Sequence, residues 1–202
     1  MLTDRFADAL TYAEAVHRPQ TRKGNDVPYV AHLLAVCATV LEWGGDEDVA
    51  IAALLHDAAE DQGGEARLAD IEMRFGSRVA AVVRRCSDSL TSDPREDKGP
   101  WRPRKEAHLR HLAGLDPDTA LVVAADKLHN VTAINRDLRR FGPATLARFS
   151  GTPDELLWYY ASIAELLAPF AETMPAAELA SAVAEFWQMV RAAPGGRSPT
   201  AR

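Results

Sequence analysis

The sequence predicts an all-α fold, a bundle of roughly 8–10 helices, and three observations carry that expectation. Alanine and leucine are abundant while aromatic residues make up only 7% of the 202, a composition that suits close-packed helices better than sheet. Apolar residues recur at helical spacing in one segment after another, and each segment is bounded by cap residues, glycine or proline. One stretch, residues 48–61 (DVAIAALLHDAAED), is different in kind. Val49, Ile51, Ala52, Ala53, Leu54 and Leu55 form an almost unbroken apolar run, which reads as a helix buried in the core.

The first helix is expected over residues 3–17, capped by Thr3 or Asp4, with Phe6, Leu10, Ala13 and Val16 facing inward. A loop follows, marked by Pro19, Gly24 and Pro28, and it carries Arg18, Arg22 and Lys23. It is either a solvated loop or a clamp for an anion. The second helix runs over residues 29–43 and ends at Gly44-Gly45. His32 in its first turns is either a hydrogen-bonded core histidine or one member of a ligand set. The third helix is expected to be continuous over 46–61. Amphipathic helices follow at 66–75 and 77–90, separated by Gly76.

Residues 91–101 (TSDPREDKGPW) read as a turn-rich connection into a helix ending near Leu112, which brings Arg102, Arg104 and Lys105. Those charges form either an exposed basic face or a second set of phosphate contacts. Residues 116–141 read as one long helix, with Asp116 as cap and Pro117 in its first turn. Its apolar first half leads into Asp126. Asn130 lies one turn on along the same face, while the spacing directs Lys127 and His129 elsewhere. Three further helices, at 143–149, 153–170 and 175–192, complete a single domain over 1–193, and residues 194–202 (PGGRSPTAR) read as a disordered tail.

Composition excludes several functions. A formal net charge of −6 argues against a partner that is a nucleic-acid polymer. It leaves room for a small anionic ligand met by local positive charge. No stretch has the roughly 20 consecutive apolar residues of a membrane span, and the N-terminus lacks a signal-peptide core. Cys37 and Cys86 have neither metal spacing nor a disulfide-rich setting, so they read as reduced and buried in a cytoplasmic chain. The oligomeric state is left open.

Chemistry concentrates where buried helices end in polar groups. His56, Asp57, Glu60 and Asp61 close the third helix, on two adjacent strips of its surface. Isolated carboxylates in such surroundings are costly unless paired, solvated or bound to a cation. His32, His56, Asp57 and Asp126, from three helices, form a candidate set of two nitrogens and two oxygens. That set suits a transition-metal cation better than Mg²⁺ or Ca²⁺, and Mn²⁺ better than tetrahedral Zn²⁺ because positions stay open. Glu60 and Asp61, one turn on, are candidate general base and acid. There is no glycine-rich phosphate loop and no serine or cysteine nucleophile motif, so attack of water on phosphorus is the reaction these residues fit.

Four segments carry a family resemblance: RKGNDVPYVAHLLAV at 22–36, ALLHDAAED at 53–61, WRPRKEAHLRHL at 101–112 and ADKLHN at 125–130. Together they resemble the HD-domain metal-dependent phosphohydrolases, and more narrowly the hydrolase domain of the Rel/Spo alarmone enzymes and their small stand-alone relatives. The resemblance implies an all-helical HD bundle that binds Mn²⁺ and removes the 3′-pyrophosphate of (p)ppGpp to give GDP or GTP. It implies that His32, His56, Asp57 and Asp126 bind the metal and that Glu60 and Asp61 serve the water. It further implies that Arg22 and Lys23 contact the nucleotide near its guanine or phosphates, Asn130 its ribose region and Lys105 its phosphates. No synthetase or regulatory segment is matched, and the last third, from FSGTPDELLWYY on, lacks the arginine and tyrosine that complete the family's pocket. An HD phosphatase acting on a nucleoside monophosphate or NADPH is the alternative, and a non-catalytic nucleotide binder the third reading.

Overall fold

A computed structural model describes residues 1–90 and 99–192, and within them the chain is helical. Ten α-helices follow one another: α1 (Asp4–His17), α2 (Val30–Glu42), α3 (Glu47–Leu55), α4 (Ala58–Asp61), α5 (Gly64–Phe75), α6 (Ser77–Cys86), α7 (Trp101–His111), α8 (Pro117–Phe141), α9 (Pro153–Leu167) and α10 (Ala176–Ala192). Short 3₁₀ turns occupy Pro143–Arg148 and Ala168–Phe170. The only β-type pairing among the described residues is one antiparallel bridge between Thr21 and Pro28, which pinches the loop after α1. The expected tail, and most of the connection expected over 91–101, lie outside the described residues.

The caps sit where side-chain chemistry favours them. The Asp46 carboxylate accepts from the Val49 amide and the Asp116 carboxylate from the Thr119 amide, each satisfying a donor that a helix start leaves open. Thr152 and Glu155 form a reciprocal capping box at the start of α9. Gly76, at φ +92°, separates α5 from α6 in a backbone conformation that costs glycine nothing.

α3 is the hub. Every residue from Val49 to Leu55 is buried, and the helix packs against α1, α2, α6 and α8. The long α8 lies against α2, α3, α6, α9 and α10. Its own buried run, Ala120 to Ala125, meets that of α3, so two wholly apolar helix segments deliver their polar ends to the same place.

The helix expected over 46–61 is broken. His56 Nδ1 lies 2.8 Å from the Ala53 carbonyl, the acceptor that a continuing helix would offer to the amide of Asp57. α3 therefore stops at Leu55, and the chain restarts as α4 with the Asp61 amide donating to the Asp57 carbonyl at 2.9 Å. α6 also ends at Cys86, short of the expected 90, and this releases Ser87 and Asp88 from the helix.

Candidate active site

Four atoms from three elements converge at the polar end of α3. His32 Nε2 from α2 lies 3.2 Å from Asp126 Oδ1 on α8 and 3.6 Å from Asp57 Oδ2. His56 Nε2 lies 3.0 Å from Asp57 Oδ2 and 3.7 Å from Asp126 Oδ1. Two donors each about 2.1 Å from one cation, at right-angled to tetrahedral spacing, would stand roughly 3.0–3.4 Å apart. The observed separations bracket that edge length.

Both Nε2 atoms are buried and make no aligned hydrogen bond. A buried polar atom without a partner is costly. Two of them aimed at two carboxylates is the donor set a divalent cation satisfies, so the residues present fit such an ion. His32, His56 and Asp57 by themselves form a compact candidate group for a metal.

The surroundings hold these groups in place. The carbonyl of Ala53 can only accept, so His56 Nδ1 carries a proton and the ring is fixed with Nε2 turned to the two carboxylates. The Tyr29 hydroxyl donates to Asp57 Oδ2 at 2.6 Å, and its ring stacks on His17 at 5.1 Å. Lys127 Nζ donates to Asp126 Oδ2 at 2.6 Å, and the Asn130 amide donates to Asp126 Oδ1. Burial works against charge on Asp57, but the His56 and His32 imidazoles outweigh it and hold the carboxyl well below the usual range. Burial likewise opposes ionisation of Asp126, which Lys127 and the two imidazoles keep depressed.

Beside this cluster opens a cavity of about 180 Å³, lined by the acids Asp57, Glu60, Asp61 and Asp126 together with Arg22, Lys105, Lys127 and Asn130. Glu60 is pushed up to about 7, chiefly by burial and then by the charges of Asp88 and Asp57. Asp61 Oδ2 accepts from Gln20 Nε2 at 2.8 Å, and Gln20 Oε1 lies 2.7 Å from His17 Nδ1. Arg22 Nη2 donates to Asn130 Oδ1 at 2.7 Å, which brings the first loop onto α8.

Several sequence expectations change here. Lys127 and His129 do not point elsewhere: Lys127 pairs with Asp126, and His129 Nδ1 lies 2.8 Å from His32 Nδ1. Lys23 is not among the residues lining the cavity; its Nζ stands 5.7 Å from the Phe149 ring centre, beside Arg148. Arg102 pairs with Glu106 and lies 3.3 Å from the centre of the Trp158 ring, so it belongs to the surface and not to the cavity. Lys105 lines the cavity, but its Nζ already donates to Asp88 Oδ2 at 2.6 Å, as does Arg104 Nη1 at 2.9 Å.

Tyr29, Asp88, His108 and Gln20 were missed. Tyr29 stands in the PYxxH segment, three residues before His32, and that spacing was the available signal. Asp88 was hidden by the expectation of a helix through residue 90. His108 lines the cavity with its Nδ1 buried and unpartnered, and burial with Lys127 and Lys105 nearby lowers its pKa to about 3.

This arrangement, a helical bundle whose His-Asp pair meets a second histidine and a second aspartate, places the chain in the HD-domain family. The HD domain model matches residues 9–150, and an HD domain implies a divalent cation. Over 139 residues the chain is 35% identical to the guanosine-3′,5′-bis(diphosphate) 3′-pyrophosphohydrolase MESH1 of Drosophila melanogaster, covering 67% of this chain and 70% of that one. MESH1 of Homo sapiens is 32% identical over 135 residues, covering 65% and 70% of the two chains. The bifunctional (p)ppGpp synthase/hydrolase SpoT of Escherichia coli is 32% identical over 136 residues, which cover 64% of this chain but only 18% of SpoT. Among solved structures, a metazoan ortholog of SpoT that hydrolyses ppGpp superposes with a TM-score of 0.69 at 29% identity, covering 93% of this chain and 96% of that one.

Proposed function

We propose that this chain hydrolyses the 3′-pyrophosphate of (p)ppGpp, giving GDP or GTP and pyrophosphate, as a Mn²⁺-dependent enzyme. The observation that carries the reading is the pair of buried imidazole Nε2 atoms that face the Asp57 and Asp126 carboxylates with no hydrogen bond of their own. Relatives named for this reaction, at 32–35% identity, support the choice of substrate. The mixed nitrogen and oxygen donor set supports Mn²⁺ over Mg²⁺ or Ca²⁺.

In this reading His32, His56, Asp57 and Asp126 hold the cation. A bound divalent ion supplies Lewis acidity toward phosphoryl oxygens and offsets the charge of the two carboxylates. Glu60 takes the proton of the attacking water on its carboxylate, a task suited to a group poised near neutrality. Asp61, held by Gln20, orients that water. Lys105 lines the phosphate side of the cavity, Arg22 and Asn130 meet the nucleoside as a bonded pair, and Lys23 adds positive charge at the rim.

Among the described residues no helix is long and apolar enough to cross a membrane. The two free cysteines support a cytoplasmic setting, where a small nucleotide substrate would be met.

Purified protein with Mn²⁺ and ppGpp should release pyrophosphate, and Asp57→Ala should lose bound metal and turnover together. Turnover of a deoxynucleoside monophosphate or NADPH with ppGpp left intact would overturn the substrate assignment.

A further inference from the structure

We propose that His129 is a positioning residue that fixes the ring tautomer of His32 and thereby sets the metal affinity of the site. The inference rests on the metal-site reading above and extends it to a side chain that touches neither cation nor substrate.

The two histidines of the cluster are held differently. His56 is locked by the backbone: its Nδ1 lies 2.8 Å from the Ala53 carbonyl, which leaves one tautomer only. The Nδ1 of His32 meets no carbonyl. It lies 2.8 Å from the Nδ1 of His129, with the two rings 4.8 Å apart and tilted by 35°. At that separation the two nitrogens share a single proton, and one ring donates while the other accepts.

The partner atoms of His32 decide which. Its Nε2 is buried, lies 3.2 Å from Asp126 Oδ1, and makes no aligned hydrogen bond. With a cation held between the carboxylates, Nε2 cannot also carry a proton. A lone pair there is a ligand. His32 can offer that lone pair only if its proton sits on Nδ1, and that proton then needs an acceptor, which is His129 Nδ1. His129 must therefore carry its own proton on Nε2. A ligating imidazole whose second nitrogen donates to a fixed partner is the general way in which ring orientation and basicity are set at metal sites. α8 supplies the partner three residues beyond Asp126, so one helix delivers a ligand and the support for the opposing ligand.

The test uses the full chain. Ring-¹⁵N NMR of the Zn²⁺-loaded protein should show His129 protonated at Nε2 alone and His32 at Nδ1. Mn²⁺ titration followed by electron paramagnetic resonance should show affinity falling about 10–100-fold in His129→Leu. His129→Asn, whose amide oxygen can stand where Nδ1 stood, should recover most of that loss. A purely structural role would lower the melting temperature of the metal-free variants without this split between Leu and Asn.

A proton on His129 Nδ1, or wild-type affinity in His129→Leu while Asp57→Ala abolishes binding, overturns the inference and leaves the metal site standing. Mn²⁺ binding that survives Asp57→Ala overturns both.

Discussion

The backbone amide of Asp88 donates to Oε2 of Glu60 at 2.9 Å, and this contact ties the acid of the cavity to its cations. The Asp88 side chain is buried, and its Oδ2 collects Lys105 Nζ and Arg104 Nη1. One residue therefore gives Glu60 a hydrogen bond through its backbone and a repelling charge through its side chain. Burial opposes ionisation of Asp88, but Lys105 and Arg104 outweigh it and hold the carboxyl below its usual range. Glu60, where burial and the charges of Asp88 and Asp57 outweigh the pull of Lys105, is raised to about 7. Two neighbouring carboxyls are driven apart in acidity by their partners, the pattern that separates an ionised group from a proton acceptor.

Activity should accordingly fall on the acid side with a limb set by Glu60, at or below about 7, since a bound cation offsets the Asp57 charge that helps raise it. Asp88→Asn removes a like charge and should move that limb to lower pH. A kcat profile from pH 5 to 9 on both proteins checks the direction. An unmoved limb would mean that Glu60 does not carry the proton.

Asp88→Asn should also destabilise the fold, because Arg104 and Lys105 lose a buried partner, at a cost of roughly 3 kcal/mol. The sign with pH follows from the depressed carboxyl. Its stabilising contribution is complete above about pH 4 and is lost as pH falls through the folded-state value. Urea titrations should show the variant's deficit at pH 7 shrinking on acidification.

Metal removal should have a thermal signature. An ion that binds only the folded chain adds about 2.7 kcal/mol when present at 100 times its Kd. For a chain of this size that corresponds to a rise in melting temperature of roughly 5–10 °C. Chelator-treated protein should melt lower by that margin and recover on adding Mn²⁺. The ion adds to the offset that Lys127 and the imidazoles already give the Asp57 and Asp126 carboxylates.

Much of the bundle was legible because its signals are local. The Thr3 and Asp116 caps, Pro117 and Gly76 each act within one turn, and each held. The convergence of the proposed ligands was legible because polar groups at the end of a wholly apolar helix need a partner, and His32, His56, Asp57 and Asp126 lie within 3.7 Å of one another across their nitrogen–oxygen pairs. What escaped depends on competition or on length. The helix broke at His56 because a side chain took the Ala53 carbonyl, which periodicity does not register. Lys127 was directed outward by its angular position, but its long stem folds back to Asp126 under the cover of Tyr159. Asp88 entered the site only because α6 stops at Cys86.

Gly24 offers a probe of the first loop that leaves every proposed ligand in place. It sits at φ +79°, and a Cβ built there would lie 2.6 Å from Arg148 Cδ. Arg148 cannot retreat freely, because its Nη2 donates to Asp137 Oδ2 at 2.6 Å and its guanidinium covers the Phe149 ring. Gly24→Ala therefore combines a left-handed backbone penalty of about 1–2 kcal/mol with displacement of a paired arginine. The loop that must move also carries Arg22, whose bond to Asn130 brings it to the cavity. The variant should bind Mn²⁺ as the wild type does, raise KM for ppGpp severalfold and change kcat little. Calorimetry for the metal and steady-state kinetics for the nucleotide separate the two effects. Equal loss in both would show that the loop supports the ligand cluster itself.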